Sequence, residues 1–174
     1  MTPETLVQEE KSQKASDEEL VIALFEPRLY HTADHQALYS RKDHKEGEVL
    51  CKFSAAARAD NPTYLSVQVG LSEHIFLFPK CLELINHSCD PNVFFDISAS
   101  VLRALKDISE GDQLSFFYPS TEWSMSQPFE CWCGSPDCLK TIQGAAFLPQ
   151  SVLQKYEINN HIRILARDNT PKLT

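Results

Sequence analysis

The chain has 174 residues, 43% of them hydrophobic and 23% charged, which suits one soluble domain with a real core. A formal net charge of −8 disfavours non-specific nucleic-acid binding, which needs Lys and Arg against phosphate, and suits a basic substrate or partner. No stretch approaches the roughly 18 apolar residues of a membrane span, and residues 1–20 lack the apolar core of a secretory signal, so an intracellular protein is expected.

Residues 1–19 are polar and charged, with few apolar groups to offset the entropy of ordering them. They read as a flexible tail, or as a segment ordered only by contact. Leu20 to Phe25 is the first apolar run and is short enough for a strand. Ala37 to Ser40 and Val49 to Phe53 read as strands, separated by a turn at Gly47. Tyr64 to Val69 alternates with period two and reads as a half-buried strand. His74 to Phe78 is the next strand, and Lys80 to Ile85 a single helical turn. Val93 to Ile97 and Val101 to Leu105 form a hairpin around Ser98-Ala99-Ser100. A turn at Glu110-Gly111-Asp112 leads into a strand ending at Tyr118. Short strands every eight to twelve residues point to a mostly β fold. From Pro149 the apolar spacing turns helical and predicts a C-terminal helix.

Two clusters carry chemistry. Asn86-His87-Ser88-Cys89-Asp90 places an amide, an imidazole, a hydroxyl, a thiol and a carboxylate side by side, following the apolar run at His74. Cys131-Trp132-Cys133-Gly134-Ser135-Pro136-Asp137-Cys138 is a C-x-C-x4-C pattern. Three of the six cysteines fall within it, which reads as a metal site and not a disulfide framework. Structural zinc takes four ligands, so a fourth must come from elsewhere: Cys89, Cys81, Cys51 or a histidine. Cys89 stands out because it lies in the other polar cluster. Cys51 and Cys81 read as buried small hydrophobes.

Three blocks in register, INHSCDPN (85–92), EGDQLSFFY (110–118) and CWCGSPDCLKTI (131–142), resemble the SET-domain family of protein-lysine methyltransferases with a C-terminal post-SET zinc element. The resemblance implies a SET-like fold of several small sheets, in which the first two blocks cross in a pseudoknot. It divides the chain into a SET-like domain over 20–120, a zinc element over 121–144 and a helical extension over 145–174. It implies S-adenosylmethionine as methyl donor and a structural zinc on Cys89, Cys131, Cys133 and Cys138. Asn86, His87 and Leu84 would bind the donor, with Ala37 and Leu38 approaching it and Trp132 as an aromatic lid. Phe129 and Trp123 are weaker candidates for that lid. Tyr118 would stand at the methyl-transfer channel, lined by Phe116 and Tyr64. The expected acceptor is the lysine amine of a protein such as a histone or another basic protein. A small-molecule acceptor is the alternative, and a non-catalytic zinc-stabilised module a second one. Aromatic walls such as Phe53, Tyr64 and Phe116 would favour a cation, with core packing the plainer role for Phe53.

The chain departs from the family pattern in several places. His35 to Ser40 lacks both glycines of the usual G-x-G. Glu83 stands where an arginine is frequent, Phe117 where an acid is common, and Lys140 where a glycine follows the last cysteines. No cysteine-rich block precedes the SET-like region. The segment from Tyr118 to Gly134 reads either as a private substrate loop or as a satellite core under the zinc site.

Overall fold

The computed structural model describes residues 3–30 and 32–168. The N-terminal segment is helix α1 (Pro3–Leu24), not a tail. Its Glu, Gln, Lys and Ala residues are good helix formers, and Pro3 sits in the first turn, where its missing N–H costs nothing. Leu20 to Leu24 is the last part of that helix and not a strand. Val21 and Leu24, three apart on one face, are buried there, while Leu20 and Ile22 face solvent. Residues 1 and 2 of the expected tail lie outside the described residues.

Five small sheets follow among the described residues. β1 (Phe25–Tyr30) pairs antiparallel with β2 (Thr32–Ser40). β3 (Val49–Lys52), β8 (Val93–Asp96) and β9 (Val101–Ala104) form a three-stranded sheet in the order β3-β9-β8. β4 (Ser54–Ala59), β5 (Val67–Gln68) and β6 (His74–Phe78) form another, in the order β4-β6-β5. β4 carries no period-two signal and was not legible in the sequence. β7 (Asn86–His87) pairs in parallel with β10 (Ser115–Phe116). β11 (Phe129–Glu130) pairs with β12 (Thr141–Ile142). The helical turn before Asn86 is a 3-10 helix, Lys80–Leu84.

The Tyr64–Val69 strand is shorter than expected. The Thr63 N–H donates to Ser66 Oγ at 2.8 Å and the Ser66 N–H donates to Thr63 Oγ1 at 3.1 Å. These local side-chain bonds replace ladder bonds, so only Val67 and Gln68 pair and Tyr64 is 71% exposed. The C-terminal helix is also split, into α2 (Gln150–Leu153) and α3 (Asn160–Asp168). Asn159 pins the break. Its buried Nδ2 donates to Phe95 O and Ser120 O, and its Oδ1 accepts from Ile97 N–H. Satisfying three backbone groups outweighs continuing the helix.

The main core lies between the sheets and contains Phe25, Leu38, Leu77, Ile85, Phe95, Leu102 and Leu114. Phe53 belongs to it, edge-on to Phe95 at 5.5 Å between centroids. A second cluster packs Ala145, Leu153, Ile158 and Ile162 with Trp123. A third surrounds Cys89, Cys131 and Ile142, with Met125, Phe129 and Leu139 against them.

Candidate active site

The parallel pair β7–β10 builds the site. Ser115 faces Asn86 and Phe116 faces His87 in register, so the two blocks lie side by side. The Ser88 N–H donates to Phe116 O at 3.1 Å and extends the pairing. Asn86 then ties in β2, its Nδ2 donating to Gln36 O at 3.1 Å.

His87 sits among aromatic rings, with Tyr118, Phe129 and Phe117 centroids at 5.2, 5.7 and 5.8 Å. Burial there pushes its imidazole down to about 3, because a charged ring would be stripped of water. The Tyr118 N–H donates to His87 Nδ1 at 3.2 Å. Nδ1 is therefore the bare nitrogen, and Nε2 carries the proton toward Cys89 Sγ at 3.4 Å. One imidazole thus links the cysteine cluster to the Tyr118 backbone.

The four sulfurs of Cys89, Cys131, Cys133 and Cys138 all lie within 4.8 Å of one another, and Cys89 and Cys131 are 4.0 Å apart. A tetrahedral zinc with bonds of about 2.3 Å needs sulfurs roughly 3.8 Å apart, so the donor set fits a metal. Amide hydrogens already point at the sulfurs: Cys89 N–H at Cys133 Sγ (3.5 Å) and Leu139 N–H at Cys89 Sγ (3.4 Å). Gly134 turns the loop at φ +74°, a conformation glycine adopts cheaply. Cys51 and Cys81 stand apart from this cluster and line no part of it.

Lys140 explains one departure from the family pattern. It holds φ +67°, the left-handed conformation for which glycine is the usual residue, and its carbonyl accepts from Cys131 N–H at 2.5 Å. A non-glycine residue there costs roughly 1–2 kcal/mol. Glycine's larger unfolded-state entropy offsets part of this. Lys140→Gly is therefore expected to stabilise the metal-loaded protein by about 0.5–1 kcal/mol, measured by denaturant unfolding; a loss of stability would contradict the strain.

A cavity of about 840 Å³ opens beside β7 and β10. Leu84, Asn86, His87, Phe116, Tyr118, Tyr64 and Trp132 all line it. Tyr118 is held against Phe116 at 4.6 Å between centroids, and its hydroxyl lies 3.4 Å from Ile85 O. Burial, with the Tyr64 phenol and the Glu122 carboxyl nearby, pushes the Tyr118 phenol above its ordinary range. Trp132 is 82% exposed at the rim. Phe129 also lines the wall, whereas Trp123 packs in the C-terminal cluster. Ala37 and Leu38 are fully buried in the body of the protein; His35 and Gln36, just upstream on β2, line the cavity instead.

Independent comparisons agree with this geometry. A family model described as SET domain matches residues 6–119. The chain belongs to the SET-domain family. This SET domain is 45% identical over 121 residues to Methyltransferase flvH of Aspergillus flavus, covering 68% of this chain and 67% of that protein. It is 37% identical over 83 residues to an H3 lysine-36 specific histone-lysine N-methyltransferase of Candida albicans, covering 40% of this chain and 10% of the relative. In three dimensions the SET domain resembles KRYPTONITE, whose crystal structure is in complex with mCHG DNA and SAH. The TM-score is 0.52 at 22% identity, over 67% of this chain and 29% of that one. At that identity the likeness establishes the fold alone. The relatives named for an activity are methyltransferases, and this SET domain is a methyltransferase.

Three carboxylates that sequence reasoning did not place in the site, Glu83, Glu122 and Glu130, also line the SET-domain cavity. Glu83 stands half-buried on the wall, and burial raises its carboxyl. Glu122 is buried four residues after Tyr118. An acid within the aromatic-rich linker was the signal the sequence offered for it. Met125 and Phe129 from the same linker serve both roles considered for it, packing around the thiols and lining the cavity.

Proposed function

We propose that this SET domain is an S-adenosylmethionine-dependent N-methyltransferase acting on the side-chain amine of lysine in a basic protein such as a histone. The observation that carries the reading is the lining of the cavity. The described residues on its wall include Tyr30, Tyr64, Phe116, Tyr118, Phe129 and Trp132, and the carboxylates Glu83, Glu122 and Glu130, but neither lysine nor arginine. Aromatic faces and carboxylates favour a cation and disfavour an anionic acceptor. The SAH bound to KRYPTONITE supports the same donor here, as does the H3(1-15) peptide in a second KRYPTONITE complex for a peptide acceptor.

When bound, S-adenosylmethionine supplies an electrophilic methyl group on a sulfonium. Leu84, Asn86 and His87 would hold the donor, with Gln36 of β2 beside them and Trp132 as the lid. Phe116 and Tyr64 line the acceptor's approach. Tyr118 orients the amine; its phenol is raised, so it stays protonated and serves as a dipole and not as a base. A lysine ammonium, near pKa 10.4 in water, loses its proton more readily among apolar walls. Cys89, Cys131, Cys133 and Cys138 would hold zinc, which would fix the part of the wall formed by Cys131, Trp132 and Cys133.

A small basic molecule as acceptor is the second reading. The cavity volume of about 840 Å³ lies in the range of small-ligand sites. The discriminating experiment incubates the purified protein and methyl-labelled S-adenosylmethionine with a cell lysate. Label in protein, at lysine, is the expected result. Label only in small molecules overturns the protein assignment, and failure of the donor to bind overturns both.

A further inference from the structure

We propose that Glu122 is the residue that receives the cationic amine of the acceptor, its Oε2 binding the ammonium beside Tyr118. The inference rests on the methyltransferase reading above and deepens it. Glu122 is only 7% exposed, yet it lines the cavity. Its backbone is fixed, with the N–H donating to Tyr118 O at 2.9 Å and the carbonyl accepting from Ala145 N–H at 2.9 Å. The two carboxyl oxygens then divide their work. Oε1 accepts from Gln68 N–H at 2.8 Å and from the Thr121 hydroxyl at 3.1 Å. Oε2 makes no hydrogen bond and no ion pair with any described residue. A purely structural carboxylate would use both oxygens or face water. This one holds the loop with one oxygen and leaves the other for the cavity.

The support beneath it is built to the same end. Gln68 is itself held, its Nε2 donating to Gly70 O and Leu71 O and its Oε1 accepting from Trp123 N–H at 2.9 Å. The Thr121 carbonyl lies 2.8 Å from His161 Nε2 of α3. The charged and titratable groups around Glu122 are few. Tyr118 and Tyr64 line the same cavity close to it, and Glu83 and Glu130 also lie on the wall. Behind it are His161 and, beside Gln68 on β6, His74; burial holds both below the usual histidine range. No lysine or arginine among the described residues neutralises the carboxylate. An unpartnered carboxylate in an aromatic cavity is a site for a cation.

Such a partner does not trap the amine in its charged form. Burial pushes the Glu122 carboxyl up to about 7, so the two pKa values of the pair approach each other. Within the pair the ammonium proton passes to Oε2, leaving a neutral amine and a neutral carboxylic acid. The amine lone pair then forms the N–C bond as the donor's S–C bond breaks, and the electron pair of that bond stays on sulfur.

The test uses the zinc-loaded 174-residue protein and n-butylammonium as the lysine side-chain mimic, with 1-butanol as the neutral comparator. Binding is followed by NMR with and without S-adenosylhomocysteine. At pH 8, Glu122→Gln is expected to weaken n-butylammonium roughly ten- to a hundredfold while leaving 1-butanol and S-adenosylhomocysteine unchanged, because glutamine keeps the Oε1 acceptor. Equal affinity of wild type and Glu122→Gln for n-butylammonium overturns the proposal. A second measurement needs no variant. Wild-type affinity for n-butylammonium falls about tenfold from pH 8 to pH 6, following the ionised fraction of a group near 7; a flat profile overturns the proposal equally. Failure of S-adenosylhomocysteine to bind counts against the donor assignment instead, since ammonium binding is also read without it.

Discussion

Tyr118→Phe is expected to lower methyl transfer by about a hundred- to a thousandfold, the range seen when one positioned hydrogen-bond donor is removed from a reacting centre. Donor affinity should change by less than a few fold, because the ring remains and its hydroxyl is not the donor's support. The ring keeps its contacts with Phe116 at 4.6 Å and His87 at 5.2 Å. The backbone N–H still reaches His87 Nδ1. Among the described residues the hydroxyl's hydrogen bond, to Ile85 O, is long at 3.4 Å, so unfolding free energy should move by no more than about 1 kcal/mol. Single-turnover methylation with saturating donor measures the first effect, calorimetric donor binding the second, and denaturant unfolding the third. Unchanged turnover in a folded variant would remove Tyr118 from the reacting centre. A matching loss of donor binding would mean instead that it supports the cofactor.

If the four cysteines hold zinc as proposed, stripping it with a chelator is expected to have the second large effect, local before it is global. Structural zinc contributes roughly 10–16 kcal/mol of apparent binding free energy in small thiolate sites near neutral pH. Little else holds the segment from β11 to β12. Its buried core is Cys89, Cys131 and Ile142, with Phe129, Met125 and Leu139 only partly covered. Without the metal, β11, the cysteine loop and β12 are expected to lose hydrogen-exchange protection, while Phe95, Leu102 and Leu114 in the main core keep theirs. Cys131, Trp132 and Cys133 form part of the cavity wall, so donor affinity should fall at least tenfold. His87 transmits the rest, since its Nε2 proton faces Cys89 while its Nδ1 holds the Tyr118 N–H. Cys131→Ser should reproduce the chelator's effect. Metal-free protein that binds donor at full affinity would show the zinc element to be independent of the site.

Glu83 and Glu122 change how the departures from the family pattern are understood. Where the family often carries an arginine, this chain carries Glu83 on the cavity wall, and a second acid, Glu122, lies close enough to Tyr118 to raise its phenol. Both acids carry the same sign and make the cavity wall anionic, which on the proposed reading favours a cationic acceptor. The missing glycines of β2 have a similar resolution. Ala37 and Leu38 are turned into the core, and the strand meets the site through Gln36, whose carbonyl receives Asn86 Nδ2.

By itself the sequence determined the chemistry that depends on residue type and local spacing. Cys131, Cys133 and Cys138 sit close enough along the chain that a glycine turn brings their sulfurs together. The hairpin at residues 98–100 and the 3-10 turn before Asn86 are set by short-range preference in the same way. The tertiary structure decided everything that depends on which distant segments meet. Leu20 to Phe25 has apolar content that suits a strand or a helix end, and docking of Val21 and Leu24 on the core selected the helix. Asn159 ended a helical pattern because Phe95, Ile97 and Ser120 needed its side chain. Glu122 reads in sequence as one acid among many; only the pairing of β7 with β10, and Gln68 arriving from β5, buried it beside Tyr118 with one oxygen left over. Local periodicity cannot encode such a meeting, because burial and an unpartnered oxygen are properties of the assembled cavity and of no single segment.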